Sequence, residues 1–409
     1  MIEPTRRDLL RGVGVAGVSL AAGAALANGL QRQNEVTAPV SRVSFRGLQQ
    51  AGIITPPPEF LEFFAFDLAT SRRHELHQLL NDLSDLAARL VAGQPAGSDS
   101  SPSLPPRDSG EALDLGASSL TITIGYGPRF FERDETAGLT RPRRLRDLPN
   151  FVGDDLQPQW GGGDIIFQVC SSDPQVNFHA VHSLERESQG RAHLRYWHRG
   201  FGRTSAVGQT QRSQRNLLGF KDGTNNLRAN EQEGLHHYVW VNDPHEPTWM
   251  QQGTYLVHRK IRTFIETWSA QSLDTQEAVI GRFRASGAPL TGTAEHDVPD
   301  LHAVDQYGNF VIPDSAHIRA AAPATNHGVR ILRRGFSYAD GLDPRSGQYD
   351  AGLHFICFQK DPLAQFAAIQ ETLAQNDALM NYLTHVASSV AACPRGLRAG
   401  QGWGDQLFG

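Results

Sequence analysis

Three short segments of this 409-residue chain hold side chains able to do proton, ligand and anion chemistry. Gly219-Phe220-Lys221-Asp222-Gly223-Thr224-Asn225-Asn226 sets a carboxylate next to glycine. Asp314-Ser315-Ala316-His317-Ile318-Arg319 offers a single imidazole, and Ile331-Leu332-Arg333-Arg334-Gly335-Phe336-Ser337-Tyr338 closes an apolar run on two guanidiniums. A placed carboxylate can carry a proton, and a neutral imidazole can ligate a metal. A guanidinium, permanently charged and forked, suits charge building up on an oxygen. Each segment taken alone also has a structural explanation: a tight turn for the glycine-flanked Asp, a packed histidine, a solvated strand end. The GxxxxGK spacing of a phosphate loop is absent. A fourth polar group, Glu295, His296, Asp297, Asp300 and His302, has the residue types of a metal hydrolase but no histidine pair at i, i+4.

Composition narrows the field. Hydrophobic residues make up 39% and charged residues 20%, with a net charge of -5 of interspersed signs. These are the proportions of an ordinary globular protein, and they leave no electrostatic footprint for nucleic acid. Cys170, Cys357 and Cys393 form no CxxC pair, which speaks against zinc, an iron–sulfur cluster or a disulfide framework. Arg6-Arg7, an apolar Gly/Ala-rich stretch from Val13 to Ala27 and the small residues Ala25-Leu26-Ala27 together read as a twin-arginine export signal over residues 1–27. That stretch is short of the roughly 20 residues a membrane span needs, so an integral membrane protein is not expected. The route carries folded proteins, which favours a protein that loads a cofactor before export.

The elements that must position these residues show a faint duplication. Residues 28–58, with Pro56-Pro57-Pro58, read as a tail or linker. Residues 60–66 and 119–125 have strand patterns, and Leu76, Leu79, Leu80, Leu83, Leu86, Ala87 and Leu90 recur at helical spacing. The stretch 164–181 resembles 352–369 at a constant offset of 188, with Asp173-Pro174 matching Asp361-Pro362. Each copy reads as an apolar strand, an Asp-Pro helix start and an amphipathic helix. Residues 254–266 would open the second copy, 329–335 would parallel 119–125, and a helix is expected at 274–285. The expected fold is therefore α+β: two ferredoxin-like units, residues 59–212 and 213–400, each an antiparallel sheet with helices on one face, enclosing a pocket.

Taken together, the three segments resemble the dye-decolourising (Dyp-type) peroxidases. GFKDGT matches the G-x-x-D-G signature of that family, and AHIR and ILRRGFSY match its proximal-histidine and distal-arginine segments. LTITIGYGPRFF, GGDIIFQVCSSDPQVNFHAV, GTYLVHRKIR, GRFRASGAPLTG and DAGLHFICFQKDP are similar to family segments in the same order. With its export signal, the chain looks most like the deferrochelatase/peroxidase (EfeB-type) branch. The resemblance implies one haem b per chain, with His317 as axial iron ligand. Asp222 and Arg333 would then act on hydrogen peroxide, oxidising a bulky organic electron donor through a ferryl state. Gly223, Thr224, Asn225, Pro323 and Arg333 would lie against the haem. Iron-uptake components and further copies of the chain are the other expected partners, in a periplasmic or extracellular setting. The rival job is removal of iron from haem with the porphyrin left intact. Tyr338, Trp268 and Trp240 are candidate relays for electrons from bulky donors. Two departures from the family pattern stand out. Ala322-Pro323-Ala324 replaces an Asn-Pro-Arg triplet, leaving Arg319, Asn326 or Arg330 to compensate. Asn381 falls where an acid would back the axial histidine, which implies a weakly polarised imidazole.

Overall fold

The computed structural model describes residues 42–98, 101–202 and 213–409. The export signal at 1–27, and residues 28–41 of the expected tail, lie outside them. Helices are α1 (Arg73–Val91), α2 (Pro174–Ser188), α3 (Gln232–Tyr238), α4 (Ile265–Ser269), α5 (Leu273–Ile280), α6 (His317–Ala320), α7 (Ala368–Asn376) and α8 (Trp403–Phe408). Strands are β1 (Phe60–Leu68), β2 (Thr121–Tyr126), β3 (Ile165–Ser171), β4 (Ala192–Phe201), β5 (Thr254–Thr263), β6 (Leu332–Arg333), β7 (Phe336–Leu342), β8 (Tyr349–Gln359) and β9 (Leu383–Cys393).

Strand pairing resolves into two ferredoxin-like sheets. The first runs β2-β3-β1-β4, and the second runs β9-β5-β8 with β6 and β7 beyond β8, all antiparallel. They meet at two narrow seams, Tyr126↔Ala392 between β2 and β9 and Phe201↔Ser337 between β4 and β7. The nine described strands thus close into a barrel-like arrangement without a long free edge. Alternation along each strand makes two apolar layers. Phe63, Ala65, Tyr196, Leu256, Ile356 and Phe358 fill the inside of the barrel. Phe64, Phe66, Phe167, Val257 and the α1 leucines pack outside it, beneath the helices.

The duplicated stretches adopt the same local structure. The Asp173 carboxylate accepts from the N–H groups of Gln175 (2.7 Å) and Val176 (3.2 Å), and Asp361 accepts from those of Leu363 (3.1 Å) and Ala364 (3.0 Å). In both copies a proline follows the capping acid, where a missing N–H costs nothing. The second copy differs in starting with a π-helical turn, Leu363–Ala367, before α7.

Three expectations need correction. The helix expected at 274–285 is α5, which stops at Ile280 because Gly281 takes a left-handed φ of +88°. A Cβ on Gly281 would meet Ile318 Cγ1 at 2.7 Å, so this glycine both ends α5 and lets α6 pack against it. The strand parallel to 119–125 is cut to Leu332–Arg333, and it resumes at Phe336 in unchanged register on β8. Residues 42–58 form no helix or strand, but part of the stretch is seated on the fold rather than trailing from it. Gln50 Nε2 donates to the carbonyls of Ile124 (3.0 Å) and Pro394 (2.8 Å), and Phe45 packs on Trp403.

The copies differ most in what covers the sheet. In the first, α1 lays Leu76, Leu79, Leu80, Leu83, Leu86 and Leu90 onto it. In the second, the same topological place is held by the short α4, α5 and α6, and a hollow remains.

The barrel interior also holds imidazoles. His258 Nε2 lies 3.1 Å from His354 Nδ1, and the His198 ring lies tilted against both. Burial pushes His198 down to about 4, and His258 and His354 well below the usual histidine range. His385 is depressed likewise. Between pH 6.5 and 4 the unfolded chain therefore binds protons that the folded chain refuses, so stability falls as pH falls through that window. His198 alone contributes about 3 kcal/mol to the loss. Glu62, raised by burial to about 7, acts oppositely and loses stability as pH rises from 4.5 to 7. Asp154, also raised by burial, acts with Glu62, so two carboxyls stand against four imidazoles and the acid-side loss dominates. The urea midpoint is expected to drop from pH 6.5 to 4.5, more shallowly in His198→Asn. Equal slopes in the two proteins would contradict this.

Candidate active site

His317 opens α6, and the turn after α7 comes down to meet it. Ala378 N donates to Ser315 O at 2.9 Å, tying the two segments together. Asp377 is buried; its Oδ1 accepts from Leu379 N at 2.8 Å, and its Oδ2 lies 2.6 Å from His317 Nδ1. A carboxylate only accepts, so Nδ1 carries the proton and the Nε2 lone pair is left free. Burial by itself lowers the His317 pKa, but the charge and hydrogen bond of Asp377 outweigh it and the net shift is upward. This overturns the expectation placed on Asn381. That residue is exposed, and its amide donates to Ala378 O at 3.2 Å. The partner of the imidazole is an acid four residues earlier, so the ring is strongly polarised.

The Asp222 loop is a tight turn locked from several sides. Asn216 Oδ1 accepts from Leu218 N and Phe220 N, while Gly219 and Gly223 take left-handed φ of +85° and +99°. Asn225, at φ +60°, is there too, in a conformation asparagine tolerates better than most residues. Glu295 accepts from Ser213, Lys221 and Thr224. Burial alone would raise its pKa; these hydrogen bonds hold it low. Arg333 Nη1 lies 3.4 Å from Asp222 Oδ1, and its Nη2 donates to Thr224 O at 2.9 Å. The Asn226 amide clasps the Arg333 backbone in both directions, at 2.9 and 2.8 Å. These contacts tie the loop to β6.

These groups share a cavity of about 430 Å³, a size suited to a small-molecule or cofactor site. His317, Asp222, Gly223, Thr224, Asn225 and Arg333 all line it. The charges of Arg333 and Asp222 both act on His317. Pro323 lines it too, between the methyl groups of Ala322 and Ala324. Of the three residues that could compensate for that triplet, Arg330 reaches the cavity and pairs with Glu231 at 3.3 Å. Arg319 lies over the Phe310 ring, and Asn326 donates to Ala320 O and Ala322 O. A second hollow of about 380 Å³, beside α1 and α2, holds none of the three principal side chains.

Glu295 serves the loop, Asp297 accepts from Thr293 N and Ala294 N, and Asp300 accepts from His302 N. Among the described residues no three His, Cys, Asp or Glu side chains gather as a metal site, so the hydrolase reading has no support. Tyr338, Trp268 and Trp240 are all buried, so none is itself an entry point at the surface. Sequence reasoning missed Asp377, Asn226 and Arg282. Arg282 donates to Gly287 O and Glu295 O and also lines the cavity. Its signal lay within the GRFRASGAPLTG stretch.

The donor set fits a planar iron cofactor: one imidazole with a single free nitrogen, a carboxylate–guanidinium pair, and walls of Ile261, Ile280, Leu353, Phe355, Ile369 and Leu373. Residues 50–202 match the family described as Dyp-type peroxidase, N-terminal, and residues 213–398 its C-terminal counterpart. The chain is 35% identical over 391 residues to the deferrochelatase of Escherichia coli O157:H7, covering 93% of this chain and 91% of that one. It is 34% identical over 433 residues to the dye-decolorizing peroxidase of Thermobifida fusca (strain YX), covering 99% and 97%. Ferric DtpA from Streptomyces lividans superposes with a TM-score of 0.83 at 39% identity, over 90% of this chain and 97% of that one. A DyP-type peroxidase from Streptomyces coelicolor gives 0.84, also at 39% identity, over 90% and 98%. By whole-length sequence match and shared fold, the chain is a haem-dependent peroxidase and belongs to the Dyp-type peroxidase family.

Proposed function

We propose that the cavity takes one haem b per chain, with His317 Nε2 as axial iron ligand and Asp222 and Arg333 working on hydrogen peroxide. One observation carries this reading: an imidazole with one free nitrogen and an Asp–Arg pair line the same cavity. Gly223, Thr224, Asn225 and Pro323 are the backbone-rich walls against which the ring would rest. When bound, haem supplies the iron at which peroxide is reduced. Asp222 takes the proton from the inner peroxide oxygen and returns it to the outer one. Arg333 stabilises charge on the departing oxygen and holds the carboxylate in place. Asp377 holds the imidazole in the tautomer that ligates.

An absorbance spectrum of the purified protein, followed by peroxide addition, tests the reading. A Soret band that shifts on peroxide is expected, and its absence would refute it. Asp377→Asn is expected to raise the iron reduction potential and weaken haem retention about 10–100-fold. Asn381→Asp should change neither. Spectroelectrochemistry of the two variants separates these outcomes.

The electron donors fitting this reading are bulky organic molecules: dyes, phenols and porphyrinogens. The 34–35% identical relatives bear both peroxidase and deferrochelatase names, so iron release from haem is the second reading. Free protoporphyrin after incubation with haem would support it. Iron-uptake components and further copies of the chain are the partners that would go with it. The Arg6-Arg7 pair supports twin-arginine export to the periplasm or beyond, and no described helix is long and apolar enough to cross a membrane. Arg6-Arg7→Lys-Lys should retain the protein in the cytoplasmic fraction; unaltered export would refute the route. Residues 59–212 and 213–400 serve as the two units of this reading, with the haem site in the second.

A further inference from the structure

A second buried imidazole faces the same cavity. His385 of β9 pairs with Ile261 of β5, and Ile261 pairs with Leu353 of β8, so the three form one row of the cavity floor. The row is apolar apart from His385, which is 3% exposed. Behind the ring stands Arg259, wholly buried, whose Nε donates to His385 Nδ1 at 2.9 Å and whose Nη2 pairs with Asp154. Asp154 is held by Phe151 N at 3.1 Å and by its backbone pairing with His385. A guanidinium N–H can only donate. Nδ1 must therefore be the acceptor, and the single ring proton sits on Nε2. Burial, then the Arg259 charge, hold the His385 pKa well below the usual range, so the ring stays neutral. Arg259 also polarises the ring and strengthens Nε2–H as a donor. Among the described residues that donor has no acceptor. Donors left without acceptors in a buried wall are costly unless a ligand supplies the acceptor.

We propose that His385 Nε2–H seats a carboxylate in this cavity, and that the carboxylate is a haem propionate. The proposal rests on haem occupying the cavity. The 322–324 wall offers two methyl groups and a proline ring and no side-chain donor, so a side-chain hold on a propionate must come from elsewhere. Lys221, Arg330 and Arg333, which also line the cavity, already have carboxylate partners in Glu295, Glu231 and Asp222, and Arg282 donates to the carbonyls of Gly287 and Glu295.

The test uses holoprotein of wild type and His385→Asn. Asparagine still offers Arg259 an acceptor but is too short to reach the cavity. Haem transfer to excess apomyoglobin is expected to speed up about tenfold in His385→Asn, with a shifted propionate bending band in the resonance Raman spectrum. An unchanged rate and band in His385→Asn would overturn the proposal. If the propionate band holds while a Soret response to formate disappears, the seat serves a small carboxylate from solvent and the propionate assignment is overturned. A wild type without any Soret band would instead remove the haem reading itself.

Discussion

His317→Ala is expected to purify without a Soret band. The expectation follows from how few groups in the cavity can hold a metal. His317 is the cavity imidazole whose free nitrogen has a lone pair; His385, the other, has its Nδ1 lone pair occupied by Arg259 and presents a proton. Asp377 is committed to His317 and Leu379, and Asp222 is held beside Arg333. The substitution removes the ligand and leaves the Asp377 carboxylate buried without its partner, so it should also cost stability. Supplying imidazole in solution separates the effects. A variant that regains a Soret band with imidazole has lost a ligand and kept its fold. A variant with a normal Soret band before rescue refutes the assignment of His317.

Asp222→Asn should keep haem and lose peroxide chemistry. Expected is a fall of about 10²–10⁴ in the second-order rate at which peroxide perturbs the Soret band, with the resting spectrum little changed. Asparagine fits the turn and its hydrogen bonds but cannot accept the proton. Arg333→Lys keeps a charge, yet one ammonium cannot serve both Thr224 O and Asp222 as the guanidinium does. Its peroxide rate should fall less than that of Asp222→Asn, and the loop should loosen because its tether to β6 is weakened. Stopped-flow absorbance measures both. A rate in Asp222→Asn within threefold of wild type would remove Asp222 from the proton path.

Much of this was legible because it is local. The Asp-Pro starts at Asp173 and Asp361 depend on residues two and three positions away, and they exposed the duplication across 188 residues. The apolar run at 60–66 and helical spacing from Leu76 to Leu90 were equally local. The segments holding Asp222, His317 and Arg333 were readable as types, though not as a constellation without the family resemblance. What stayed hidden depends on docking. Asp377 lies 60 residues from His317 and is brought to it by the turn after α7, with no periodicity to mark it. Asn381 sits on the same turn but faces solvent, so an alignment a few residues off inverted the conclusion about ring polarisation. The proton on His385 is set by Arg259 across a strand pair, and no sequence pattern records a tautomer. The early end of α5 at Gly281 left a signal, a glycine within an otherwise helical run.

The unequal covering of the two sheets bears on how this scaffold could be altered. Both sheets have the same strand order, and each presents an apolar outer face. Whether a unit is solid or hollow is decided by what runs between its first two strands. A long leucine-rich helix at Arg73–Val91 makes a solid unit, and short helices joined by loops between Thr263 and Leu332 make a hollow one. The guest is thus specified by an insert, and the frame is specified by the sheet. Recasting residues 264–331 offers a way to admit a differently shaped planar guest while leaving untouched the pairings on which the barrel depends.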